Sequence, residues 1–401
     1  MILEKEGYAY NDLTIIPAKI SYVESRSQCN PFTVDERLPI FTAPMASVVS
    51  DKNYEIFIEN GITPIIPRNI DLDKRIRLMN DGIWVALSLK EFKDLFIEHA
   101  HQRLFNVQYR ICVDIANGHM ISLYEACEEA KTICYDNYKY DLTIMTGNIA
   151  NPATYEWICN FNFESKYIAV DYIRVGIGGG FGCITTSNVS THYPQASLIE
   201  ECYKIKLKHS CAPKIIADGG IRNYNHVNIA LGLGANYVMI GSLFAQCLES
   251  AGEKYDGKHT IFNINDFKSL RMENGGVFGY YTEEAINTLV ANTPPGGTKD
   301  YYTENGCRNL RNEQYLGKCT VKFFGMASAD GQKSINGEKT KTAEGITKYL
   351  PIEFTLKGWT KNMISYLQSC MSYCNCFTLK DFIGKQKFIK NSISEINSVN
   401  K

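Results

Sequence analysis

The most reactive arrangement in the sequence is a cysteine inside a glycine run, Arg174-Val-Gly-Ile-Gly-Gly-Gly-Phe-Gly-Cys183-Ile-Thr185. Glycines at 176, 178, 179, 180 and 182 permit positive φ and expose N–H and C=O groups, so the backbone can approach a ligand or an ion closely. Backbone dipoles around Cys183 favour a thiolate, the form that attacks carbon, and Thr185 places a hydroxyl near the same atom. A structural role is the competing reading for any one of the fourteen cysteines, but Cys183 is set apart by polar, glycine-rich surroundings. The run superficially matches a dinucleotide fingerprint. That motif opens a helix, however, and the Cys-Ile-Thr-Thr-Ser-Asn that follows lacks helical apolar spacing, so a Rossmann reading fails on context.

Two more polar turns follow apolar runs: Asp218-Gly219-Gly220-Ile221-Arg222 and Gly241-Ser242. They are tight turns at the least, and in a barrel they fall where phosphate sites are built. Eight short β-branched runs recur along the chain, at 39–44, 63–67, 83–87, 110–114, 142–146, 167–175, 214–218 and 237–241. Amphipathic segments lie between or after them at 51–60, 89–102, 120–136, 151–160, 195–209, 223–232 and 244–251. In 120–136, Leu123, Cys127, Ala130 and Cys134 form the stripe of a helix lying on a sheet. Near-continuous apolar strands alternating with helices predict an α/β (β/α)8 TIM barrel, with a doubly wound open sheet as the alternative. In a barrel the residues just after each strand carry the chemistry.

The rhythm breaks twice. Residues 254–320, with Pro294-Pro295-Gly296-Gly297, read as an insertion after the eighth unit, and the polar tract 327–343 reads as a mobile flap or a plain surface loop. The whole chain, 1–401, reads as one catalytic domain. With 42 Lys+Arg against 43 Asp+Glu and no basic cluster, it has no footprint for nucleic acid or a membrane surface. No apolar stretch is long enough to span a membrane, and Met1-Ile2-Leu3-Glu4-Lys5-Glu6 puts acids where a signal peptide needs an apolar core, which predicts a cytoplasmic protein. Most of the cysteines then read as small core residues; Cys370, Cys374 and Cys376 lack a second ligand pair at zinc-site spacing.

These residues closely resemble the IMP dehydrogenase and GMP reductase family of purine nucleotide oxidoreductases on a (β/α)8 barrel. The match runs from Arg174 to Gln195 and includes Ala43-Pro-Met45, Val113 to His119, Thr146-Gly-Asn148, Ile216 to Arg222, Val238 to Leu243, Phe324-Gly-Met326 and Ala343-Glu-Gly345, in family order. Only about 45 residues separate Arg68 from Asp114, which leaves no room for the CBS modules of the dehydrogenases. The flap also lacks the Arg and Tyr that activate water in them. Tyr10 to Lys19, Ser25-Arg-Ser27, Phe324 to Ser328 and Leu367 to Tyr373 resemble bacterial GMP reductases.

The resemblance implies reduction of GMP by NADPH through a bond between Cys183 and C2 of the purine. Thr185 and Glu344 would assist proton transfer to the departing amine. Met45, Asp218, Gly219, Gly220, Gly241, Ser242, Gly325 and Met326 would hold the nucleotide. Asp114 and Arg68 would line the catalytic side, with Asp114, Asn117 and Gly118 also facing the cofactor. Carbonyls of Gly178, Gly180 and Cys183 resemble a potassium (K+) loop, and a homotetramer is the family's habit. A compact dehydrogenase and a non-catalytic nucleotide-binding barrel are the alternatives. The chain departs from the family pattern at Ala46, at Phe181-Gly182 and in the length of 254–320.

Overall fold

The computed structural model describes residues 6–99, 104, 108–256, 259–262, 319–337 and 341–392. Eight parallel strands form one sheet: β1 (Ile40–Thr42), β2 (Ile65–Ile66), β3 (Trp84–Leu87), β4 (Gln108–Asp114), β5 (Asp141–Ile149), β6 (Tyr172–Val175), β7 (Lys214–Asp218) and β8 (Tyr237–Ile240). Each falls within or overlaps one of the eight runs. The strand order is β1-β8-β7-β6-β5-β4-β3-β2, and the two ends meet. Phe41 bridges Thr63 just before β2, with Thr42 N donating to Thr63 O at 3.0 Å and Thr63 N to Ile40 O at 3.0 Å. That closure makes the sheet a (β/α)8 barrel and excludes the open doubly wound alternative.

Side chains alternate along the strands with period two. Val85, Leu87, Ile111, Val113, Ile173, Ile215 and Val238 face the surrounding helices, while Phe41, Trp84, Ala86, Cys112, Met145, Ile216 and Met239 fill the barrel. One end of the interior is plugged by Trp84, Tyr172 and Tyr237, the first residues of their strands, around Phe41, with ring centroids 5.1 to 6.2 Å apart. This layer supports everything above it, because interiors are close-packed and cannot slump into a hole cheaply.

The outer ring includes helices Tyr54–Glu59, Leu72–Asn80, Leu89–Lys93, Ile121–Ile133, Pro152–Glu164, Gln195–Lys206, Tyr224–Leu233 and Ser242–Ala245. The helix expected over 244–251 is the last of these and stops at Ala245. Helix Leu72–Asn80 escapes an apolar-stripe search because Arg75 shares its buried face with Ile76 and Met79. Arg75 can be buried there because Glu91 pairs with it at 2.6 Å. A short helix, Thr185–Val189, also follows the cysteine loop where no helix was expected, and none of its residues is buried.

Of the twelve cysteines whose side-chain burial the structure describes, nine are buried, as core residues should be, and Cys183, Cys211 and Cys370 are half-buried. No described helix is long and apolar enough to cross a membrane.

Beyond the barrel, helix Leu356–Tyr373 packs Trp359 against Phe244 and Tyr224, and strand Leu13–Ile16 pairs antiparallel with Lys387–Lys390. A second sheet joins His259–Phe262, Lys254–Asp256, Cys319–Phe324 and Thr347–Pro351 in that order. Its strands take up both ends of the stretch read as an insertion; residues 263–318 lie outside the described residues. The tract read as a flap contains helix Ala329–Asn336, capped by Ser328, whose hydroxyl accepts from Gly331 N at 3.1 Å. Residues 338–340 of that tract also lie outside the described residues.

Removing a ring from the interior plug leaves a cavity that its rigid neighbours cannot fill. Phe41→Ala is expected to lower unfolding free energy by about 3–5 kcal/mol in urea titrations. A loss below about 1 kcal/mol would mean that the plug does not carry the barrel.

Candidate active site

At the carboxyl end of the strands the inward-facing positions turn from apolar to charged. Asp114 ends β4, Arg174 sits inside β6 and Asp218 ends β7. Two acids facing each other across a narrow barrel would repel, and Arg174 lies between them. Its Nη1 donates to Asp114 Oδ1 at 2.7 Å, and its Nε and Nη2 reach Asp218 Oδ2 at 3.0 and 2.9 Å. Arg68, which follows β2, donates from Nε to the other oxygen of Asp114 at 3.1 Å. Asn148 Nδ2 donates to Asp218 Oδ2 at 2.8 Å and to Gly176 O at 2.7 Å.

Burial works against ionisation of Asp114, but the guanidiniums of Arg174 and Arg68 outweigh it and hold its carboxyl below the ordinary range. Just below, burial pushes the Cys112 thiol up to about 12, with Arg174 only partly opposing. Cys112 therefore stays a neutral thiol. Arg174 and Asn148 were not singled out from the sequence as site residues. The signal was there for Arg174: a lone arginine in the apolar run Tyr172-Ile-Arg-Val175 of a fully covered strand must be paired.

Above this charged layer opens a cleft lined by Cys183, Asp114, Asp218, Glu344 and Met45, by Gly219, Gly220, Gly241 and Ser242, and by Gly325 and Met326. The eight residues expected to hold a nucleotide are thus brought together. Gly180 also lines the cleft, but Asn117, Gly118 and Gly178 are not among its lining residues. Asn117 is exposed on the turn after β4, while Gly118 is buried against Asn148, its N–H donating to Asn148 O at 3.0 Å.

The cysteine loop is tied to the segment after the flap helix by backbone hydrogen bonds. Cys183 bridges Gly345, Ile184 N donates to Glu344 O at 3.2 Å, and Ile346 N to Gly182 O at 2.9 Å. This pairing brings Glu344 to Thr185 across 159 positions of sequence. The Cys183 thiol donates to Thr185 Oγ1 at 3.2 Å, and Thr185 Oγ1 donates to Glu344 Oε2 at 3.3 Å. A thiol, a hydroxyl and a carboxylate in series can move one proton from sulfur to carboxylate and back, which leaves a nucleophile at the cleft wall.

Arg174→Met should leave two partly buried carboxylates facing each other without the guanidinium between them, a loss of about 3–5 kcal/mol near pH 7. In the native protein the lowered pKa of Asp114 contributes stability above about pH 4 that is lost as pH falls through its folded pKa. In the variant only Arg68 still opposes the burial of Asp114, so less of that stabilisation remains to be lost. The deficit should therefore narrow as pH is lowered from 7 towards 4 in urea titrations; a deficit independent of pH would show that Arg174 acts by packing alone.

Comparison with known proteins agrees with this architecture. The family model of the IMP dehydrogenase / GMP reductase domain matches residues 95–281. GMP reductases of Staphylococcus aureus strains Newman and USA300 are each 33% identical over 266 residues, covering 63% of this chain and 75% of theirs. That of strain bovine RF122 / ET3-1 is 32% identical over the same length. A closed (β/α)8 barrel, a cysteine loop hydrogen-bonded to a glutamate, and relatives at this identity along three quarters of their length lead to one conclusion: the chain belongs to the IMP dehydrogenase/GMP reductase family.

Proposed function

We propose that the protein is a GMP reductase, converting GMP and NADPH to IMP, ammonia and NADP. The observation that carries this reading is the hydrogen-bonded series from the Cys183 thiol through Thr185 to Glu344. The thiol proton moves to the Thr185 oxygen as the hydroxyl proton of Thr185 moves to Glu344, and the resulting thiolate adds to C2 of guanine. The same proton returns through Thr185 to the 2-amino group, which leaves as ammonia as the carbon–sulfur bond remains. The one proton released by sulfur is the one the amine needs, so this half of the reaction requires no outside acid. NADPH, when bound, supplies the hydride that replaces the amine at C2. Breaking the carbon–sulfur bond then frees Cys183 as a thiolate, which takes a proton from solvent.

Asp218, fixed by Arg174 and Asn148, accepts from the ribose hydroxyls, and the turns at Gly219-Gly220 and Gly241-Ser242 offer N–H groups to the phosphate. Glu344 also accepts along the N1 edge of the base. The turn Asp114 to Gly118 faces the cofactor side, with Asn117 exposed and the Asp114 carboxylate held by two guanidiniums. Gly178 O already accepts from Thr186 Oγ1 and Gly180 O from Cys183 N, each at 3.0 Å. Each carbonyl keeps a lone pair, and with Cys183 O they would hold a potassium ion that steadies the loop.

Cys183→Ala should reduce GMP-dependent oxidation of NADPH at least about 10⁴-fold while GMP still binds. Near-native turnover would end the covalent mechanism. Glu344→Gln should slow ammonia release about 10²- to 10⁴-fold with little change in GMP affinity. An unchanged rate with weakened GMP binding would make Glu344 a binding residue only. With IMP and NAD the native protein should form xanthosine monophosphate far more slowly than it forms IMP from GMP; the opposite ranking would assign the dehydrogenase reaction. Silence in both directions with nucleotide bound would assign a non-catalytic barrel.

A further inference from the structure

The cleft has a charge imbalance that a phosphorylated ligand would feel. Its lining includes three carboxylates, Asp114, Asp218 and Glu344, and two guanidiniums, Arg174 and Arg222. Arg174 is already shared between Asp114 and Asp218. Arg222 makes no ion pair among the described residues; instead its guanidinium carbon lies 5.9 Å from the centroid of the exposed Phe181 ring. Lys348 Nζ approaches the same ring at 3.9 Å. A cation–π contact orients a guanidinium without using its N–H donors, whereas a carboxylate partner would consume them. The backbone beneath is fixed too: Arg222 N donates to His226 Nδ1 at 3.2 Å, and His226 Nε2 meets Asn11 Oδ1 at 2.6 Å.

Resting on the reductase reading, we propose that Arg222, held over Phe181 at the cleft mouth, is a specificity-determining residue that binds the 5′-phosphate of the substrate. The Gly219-Gly220 turn supplies neutral N–H donors, and Arg222 supplies the full positive charge that a dianion needs beside three carboxylates. Phe181, one of the departures from the family loop, is then the platform that keeps the fork aimed into the cleft.

The test compares GMP with guanosine, and NADPH with NADH, by equilibrium titration and by initial rates on the full chain. Arg222→Ala should weaken GMP binding about 10- to 100-fold, with kcat changed only a few-fold and guanosine binding unaltered. Arg222→Lys should recover part of the loss, Phe181→Leu should weaken GMP several-fold, and Phe181→Tyr should behave as the native protein. GMP binding by Arg222→Ala within about two-fold of native would overturn the proposal, as would a loss confined to NADPH, which would move the anion to the cofactor. If the native protein binds GMP but turns over nothing, the reductase reading fails; loss of discrimination between GMP and guanosine in Arg222→Ala would still uphold the phosphate contact.

Discussion

The position of the Arg174 guanidinium decides the shape of the barrel mouth. Asp114 and Asp218 end strands that face each other over an apolar interior, where a carboxylate without a partner is costly. By bridging both, Arg174 keeps Asp218 a hydrogen-bond acceptor for a ligand and fixes Asp114 for Arg68. The strands must come close for this to work. At Gly176, with φ +134°, an added Cβ would lie 2.2 Å from Asp218 O; at Gly147, with φ +135°, it would lie 2.6 Å from Arg174 O. No side chain fits at either place, so these two glycines are conditions of the ion network as well as turns.

The second constraint is the attachment of the cysteine loop. A glycine-rich loop fixes nothing by itself, and the entropy of ordering it must be offset elsewhere. Cys319–Phe324 and Thr347–Pro351 pair as antiparallel strands, and their ends deliver Gly325 and Gly345 to the cleft. The sheet is rooted by Lys254, almost wholly buried, whose Nζ donates to Ser250 Oγ at 2.9 Å, to Gly252 O at 2.8 Å and to Ser250 O. Burial pushes this amine down to about 7, yet three acceptors match the three protons of an ammonium. The sheet behind the site is thus pinned to the barrel by a polar anchor rather than by apolar packing alone.

Legibility in the sequence followed the physics of each part. The barrel was legible because strands covered on both faces must be apolar, and each of the eight runs holds a strand. The cysteine loop was legible from its glycines, and the family resemblance pointed to Glu344 and Asp218, which the fold brings to the same cleft. Helix Leu72–Asn80 and the flap helix were not, since one buries a paired arginine and the other depends on a serine cap. The pairing of Cys183 with Gly345 was beyond pattern reading, because a contact across that separation leaves no local period.

Proton accounting links this geometry to the direction of the proposed reaction. In the reductive path the thiol gives up one proton and the departing amine takes it, so Thr185 and Glu344 suffice as a closed shuttle. In a hydrolytic path water must lose a proton to a further acceptor on the far side of the base. Among the described residues of 327–343 the one carboxylate is Asp330, and it is engaged by Thr347 Oγ1 and, at 3.3 Å, by Lys322 Nζ. Those contacts hold its carboxyl below the ordinary range, with the Thr347 hydrogen bond the largest cause, which makes it a poor base. The same side chain therefore ties the flap helix to Cys319–Phe324 and Thr347–Pro351, and a carboxylate engaged in those contacts is not available to activate water.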